Sequence, residues 1–208
     1  MAGDFHGACA HLASADERMA ALIEIIGPCT LVPRRGRYAA LVRAIIGQQV
    51  STAAARTIYA RLAAAAGGRL TPDAVAALSP AELRAAGLSG QKASYVRDLS
   101  ERVLDGRLRL QRMHLLEDEA VIEELVGVRG IGRWTAEMFL MFVLCRPDIL
   151  PVDDLGIRNG FRRVYGLRKM PSVARMHQLA RPWRPWRTVG SWYLWRALEL
   201  PPAARAGD

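Results

Sequence analysis

Nearly every segment of this chain repeats its apolar residues at the three-and-four spacing of an α-helix, and no stretch sustains the apolar/polar alternation of a half-buried strand. The pattern predicts an all-α protein whose helices are cut to length by glycine, proline and small capping residues. Helices are expected over Ala15–Ile26, closed by Gly27-Pro28, over Tyr38–Gly47, and over Ser51–Ala66, ended by Gly67-Gly68. Ser79-Pro80-Ala81-Glu82 is a capping box with proline at the first helical position, opening a short helix that stops at Gly87. Ser89 caps a helix running to about Leu104, where Asp105-Gly106 breaks it. Further helices follow over Glu117–Leu125, Trp134–Cys145, Asp154–Tyr165, Ser172–Ala180 and Trp186–Leu198, with a short frayed tail from Pro201. At 208 residues, such a chain can build one sizeable core or two small lobes.

Between the helices ending at Leu125 and beginning at Trp134 lies Val126-Gly127-Val128-Arg129-Gly130-Ile131-Gly132-Arg133. Glycines let the backbone turn sharply and approach a ligand, and the first N–H groups of the next helix then point outward as anion donors. A plain helix–helix turn uses the same residues, so the neighbouring motifs must separate the two readings. The charge balance leans toward the anion: lysine and arginine total 29 against 20 acidic residues, a net charge of +9. Most of that charge is arginine, whose planar fork suits phosphate, so a polyanionic partner is expected.

Three other motifs carry polar chemistry. Gln48-Gln49-Val50-Ser51 places two amides at a helix junction, where they can bond base edges or serve as a solvated corner capped by Ser51. Four of the five tryptophans, Trp183, Trp186, Trp192 and Trp195, fall within thirteen residues, the first two interleaved with Arg184 and Arg187. Such rings stack on bases or pack a core helix. Asp153 and Asp154 follow Pro151; a carboxylate at that helix start is an N-cap, or it stabilises developing positive charge and orients a water. Cys9, Cys29 and Cys145 are odd in number and widely spaced, without the pairing expected of zinc or an iron–sulfur cluster. With no apolar run reaching the ~18 residues of a membrane span, a reduced intracellular protein is expected.

The motifs QQVS, GLSGQKASYVRDL, VRGIGRWTAEMFLMF, LPVDDLGIRNGF and WRPWRTVGSWYLW occur in an order that resembles the helix-hairpin-helix (HhH-GPD) DNA glycosylases over about Asp16 to Leu198. The likeness is greatest to the alkyl-base branch, the bacterial 3-methyladenine DNA glycosylase II (AlkA-type) enzymes. It implies two helical lobes, about 36–115 and 1–35 with 116–200, flanking an active-site cleft, with the hairpin over 125–136. It implies an enzyme that rotates a 3-methyladenine or 7-methylguanine type base out of duplex DNA and hydrolyses its N-glycosidic bond, leaving an abasic site.

By motif position the resemblance makes Asp154 the catalytic carboxylate, and Trp134, Trp195 and Met138 the base pocket. Gln48, Gln49 and Ser51 would fill the gap in the duplex. Gly130, Gly132 and Thr135 would grip phosphate, with Arg129 and Arg133 beside them. Backbone carbonyls of Val126, Val128 and Ile131 would hold a monovalent Na+ or K+, and no other cofactor is expected. Enzymes of the superfamily that also nick the strand place a lysine nucleophile where this chain has Trp134. The resemblance therefore implies a monofunctional enzyme, expected to act as a cytoplasmic, nucleoid-associated monomer. The rival readings are a glycosylase for deaminated or mismatched bases and a damage-sensing DNA-binding protein without turnover.

Overall fold

A computed structural model describes residues 6–201, and these contain helices, turns and no strand. The tail expected to fray lies, from residue 202 on, outside the described residues. The helices are α1 (His6–Ala15), α2 (Glu17–Ile26), α3 (Arg37–Gly47), α4 (Thr52–Ala65), α5 (Pro72–Ala76), α6 (Pro80–Ala85), α7 (Gly90–Leu104), α8 (Asp118–Val126), α9 (Arg133–Phe142), α10 (Leu155–Val164), α11 (Val173–Leu179) and α12 (Arg187–Glu199). Short 3-10 turns occupy Leu110–Leu115 and Arg181–Trp183. No helix of the structure is long and apolar enough to cross a membrane.

Most helix starts follow from local chemistry. The hydroxyls of Ser51, Thr71, Ser79, Ser89 and Ser172 each accept a backbone N–H two residues into the helix that follows, and Ser79 with Glu82 forms the full capping box. One expected boundary moves. Asp16 caps α2 through the N–H groups of Arg18 and Met19, so the first expected helix starts after Asp16, and a separate α1 precedes it.

The chain divides into two compact units, residues 34–144 and residues 1–33 with 145–208. The boundary expected near residue 116 therefore falls at 144/145. Residues 116–144 group with 34–115 because α9 packs on α3, and because Asp98 of α7 holds the turn between α8 and α9.

The core of the 34–144 unit is built from Leu41, Val42, Ile45 and Ile46 of α3, Val96 and Leu99 of α7, Val121 and Leu125 of α8, and Phe139 and Leu140 of α9, all buried. In the other unit α10 packs closely on α12. Gly160 permits this, since a Cβ there would stand 2.8 Å from Leu194 Cβ and 2.9 Å from its carbonyl oxygen. Phe161 stacks on Trp183 with ring centroids 5.3 Å apart, and the Trp183 indole N–H donates to Asp16 at 2.9 Å. Tyr165 also donates its hydroxyl to Asp16. The carboxylate that caps α2 thereby anchors two rings of the core.

Candidate active site and nucleic-acid interface

In the 34–144 unit the α8–α9 turn is held from three sides. Gly130 adopts φ +81, and a Cβ there would lie 2.1 Å from Tyr95 Cδ2, so the turn can press against the Tyr95 ring only because residue 130 has no side chain. Gln48 Nε2 donates to the Gly130 carbonyl at 2.7 Å. Asp98, only 7% exposed, accepts the Arg129 backbone N–H at 2.9 Å and pairs with Arg102 at 3.0 Å and Arg129 at 3.4 Å. Burial opposes ionisation of Asp98, but the Arg129 N–H and the two guanidiniums outweigh it and hold its carboxyl below the ordinary value.

A depressed carboxyl contributes stability that is complete above its unfolded pKa, near ~4, and is lost as pH falls through the lower folded value. Asp98→Asn is therefore expected to cost about 1.5–3 kcal/mol near neutral pH, the worth of hydrogen bonds to a charged acceptor. The difference from wild type should shrink as pH drops below ~4. Urea midpoints measured across that range check it, and a difference independent of pH contradicts it.

The clamp draws on residues of α7 to which the motifs assign no role. Lys92 Nζ donates to the carbonyls of Ile46 and Gln48, each at 2.7 Å, closing the C-terminal end of α3 from α7; burial lowers its pKa. Tyr95, Asp98 and Arg102 stand three and four residues apart on α7, one polar face inside an otherwise ordinary helix pattern. That spacing was the available signal.

The structure gives several of the expected DNA-contacting residues partners within the protein. Gln48, expected to enter the duplex gap, has its amide on the Gly130 carbonyl, because its position at the end of α3 faces the turn. Gln49 is exposed at φ +55, a left-handed conformation at the tip of the α3–α4 junction. The Ser51 hydroxyl accepts the Ala54 N–H at 3.2 Å as the α4 cap. Arg133, expected beside phosphate, is held by Glu119 of α8 at 2.5 and 3.0 Å and by Glu137, one turn on in α9, at 3.3 Å. The Thr135 side chain is buried and lines a crevice of about 40 Å³ with Met138.

Gly132 sits at the N-cap of α9 with no side-chain cap, at the start of a helix whose dipole is positive at that end. Of the three carbonyls considered for an alkali ion, that of Val128 also accepts the Ile131 N–H at 3.1 Å and keeps a second lone pair.

The second unit holds the carboxylate. Asp154 is the N-cap of α10, and its Oδ1 accepts the Ile157 N–H at 2.7 Å and the Trp195 indole N–H at 2.9 Å. A Cβ on residue 156 would lie 2.9 Å from Asp154 Oδ1 and 2.9 Å from both Trp195 Cδ1 and Nε1, so Gly156 lets the indole reach the carboxylate. Capping and the indole N–H together fix one oxygen of this carboxylate in place. Asp153 is exposed. Trp134, at 45% exposure, lies in the other unit on the first turn of α9.

The tryptophan-rich run divides along the same logic. Trp183 is fully buried core, while Trp186, Trp192 and Trp195 are half-buried. The interleaved arginines converge on Asp148, Arg187 at 2.7 and 2.9 Å and Arg184 at 3.0 Å. A carboxylate six residues upstream of Asp154 is the nearer counter-charge, so this cluster ties the connection before α10 to the start of α12.

The sequence profile of the HhH-GPD superfamily base excision DNA repair proteins matches residues 42–185. The DNA-3-methyladenine glycosylase 1 of Schizosaccharomyces pombe is 33% identical over 91% of this chain and 86% of its own. A solved structure of the 3-methyladenine DNA glycosylase of the same yeast, in complex with abasic DNA, superposes with a TM-score of 0.82 at 32% identity, covering 96% of this chain and all of that one. A DNA-3-methyladenine glycosidase structure from Bacillus halodurans gives a TM-score of 0.86 at 36% identity, over 95% of this chain and 91% of that one.

Proposed function

Because this chain belongs to the HhH-GPD superfamily of base excision DNA repair proteins, we propose that it is a monofunctional alkyl-base DNA glycosylase, cutting the N-glycosidic bond and leaving the strand intact. The observation that carries this reading is the Asp154 carboxylate, fixed on one oxygen by the Ile157 N–H and the Trp195 indole. As the base departs, the sugar gains oxocarbenium character, and a fixed carboxylate stabilises that charge without reorganising. The electron pair of the broken bond neutralises the cationic alkylated base, so the leaving group needs no proton. Water, oriented by the same carboxylate, then bonds to the anomeric carbon and gives its proton to that carboxylate, which passes it to solvent.

Trp195 acts here as a positioning residue. Trp195→Phe keeps an aromatic face and removes the N–H, so base release at saturating DNA is expected to fall about tenfold, the worth of one charge-assisted hydrogen bond. Duplex affinity and the ranking of lesions should stay unchanged. A drop in affinity equal to the drop in rate would assign Trp195 to packing.

The absence of strand nicking is supported by Trp134, which offers no amine to form a Schiff base at the position following Gly132-Arg133. Borohydride added during turnover should trap no covalent protein–DNA adduct, and product strands should break only on later alkali treatment. A trapped adduct would contradict the monofunctional reading. Comparing duplexes that carry a cationic methylated purine or a neutral deaminated one separates the alkyl-base reading from its nearest rival.

A further inference from the structure

Within the 34–144 unit a groove of about 830 Å³ opens between α3 and α4, beside the first turn of α9. Arg34, Arg35, Arg43 and Arg56 line it together with Tyr59 and Trp134, and no aspartate or glutamate does. Other arginines of the chain are neutralised in place, Arg102 by Asp98, Arg133 by Glu119 and Arg187 by Asp148. Among the described residues none of the four groove arginines forms an ion pair with a carboxylate.

Two of them are nevertheless held in position. The Arg43 guanidinium lies 4.0 Å from the centre of the Tyr59 ring, and that of Arg34 lies 5.2 Å from the centre of Phe142. An aromatic face fixes the planar fork and leaves its in-plane N–H donors for a ligand. Four like charges in one groove repel one another in the free protein, and a row of phosphates both removes that repulsion and releases its own counterions. The same field opposes entry of a cationic base. The chemistry therefore selects the sugar–phosphate backbone over the lesion.

We propose that this groove is a phosphate track, holding a stretch of DNA strand next to the segment gripped by the α8–α9 turn. Trp134 joins the two surfaces, standing on the first turn of α9 and lining the groove. The track rests on the DNA glycosylase reading above and adds to it a second, sequence-independent contact that sets affinity for undamaged duplex.

The test is the salt dependence of binding to an undamaged duplex, followed by fluorescence anisotropy over a series of KCl concentrations. Each phosphate neutralised adds about 0.9 to the slope of log affinity against log salt, so changing all four arginines to glutamine should make it shallower by about 3.6. Arg35→Gln with Arg56→Gln, which disturbs no aromatic contact, should make it shallower by about two. Changing all four to lysine should keep the wild-type slope. A wild-type slope in both glutamine variants, or a lysine variant as shallow as the glutamine one, overturns the track. Wild type that binds duplex and frees methylated bases, beside glutamine variants of unchanged slope, rejects the track alone. Wild type that neither binds duplex nor frees base rejects the reading on which the track rests.

Discussion

Asp154→Asn should reduce base release by about 10²- to 10³-fold, the scale seen when a preorganised charge stabiliser is removed. The fold should scarcely register the change. Asparagine caps helices about as well as aspartate, and its side-chain oxygen can still accept the Ile157 N–H and the Trp195 indole N–H that Asp154 accepts now. The remaining stability cost is the interaction of the lost charge with the α10 dipole, about 0.3–1 kcal/mol. Duplex affinity should hold or tighten, because a negative charge facing phosphates has been removed. Single-turnover release, an anisotropy titration and a thermal melt on the same preparation separate these effects. A variant that releases base at the wild-type rate would leave Asp154 as a helix cap only.

Gly130→Ala should be the most destabilising small substitution in the turn. A left-handed φ costs an L-residue about 1–2 kcal/mol, and forcing a methyl into a filled contact adds about 1–3 kcal/mol. The contact is with the Tyr95 ring, 2.1 Å from where the Cβ would stand. Together these consume a large part of a domain's usual stability of about 5–15 kcal/mol. Whatever relaxation occurs must move the turn that presents the α9 N–H groups, so duplex affinity should fall with stability. Tyr95→Ala in the same background should recover the steric share and leave the φ strain. A double-mutant cycle with denaturant midpoints reads the coupling. Coupling near zero would contradict the contact between ring and turn.

The helices that sequence patterning reaches are those whose ends are set locally. Ser79 with Glu82, Ser89, Ser172 and Asp154 announce helix starts by satisfying N–H groups within three residues, so no tertiary knowledge is needed. Helix α1 escapes because small alanines carry much of its buried side: Ala8 and Leu12 are fully buried, yet the segment shows little apolar periodicity. Helix α5 escapes because five residues are too few for a period to show.

The candidate site divides in the same way. Asp154 and Gly130 are legible because their backbone positions constrain the residue type. Long polar side chains are not, since their partners lie far along the chain. Gln48 meets Gly130, Lys92 meets the end of α3, and Arg187 turns to Asp148, none of which a local pattern encodes. The tryptophans differ for the same reason: Trp183 and Trp195 share a sequence neighbourhood, and only packing makes the first core and the second a partner of the carboxylate.

The most direct measurement is the release of bases from methylated duplex DNA by the wild-type chain, resolved by chromatography, with the strand run on a gel before and after alkali. The account predicts free 3-methyladenine or 7-methylguanine in solution, strands intact until alkali is added, and release by Asp154→Asn slower by about a hundredfold or more. DNA binding without free base from any methylated substrate, or strands already nicked by the protein alone, would contradict it.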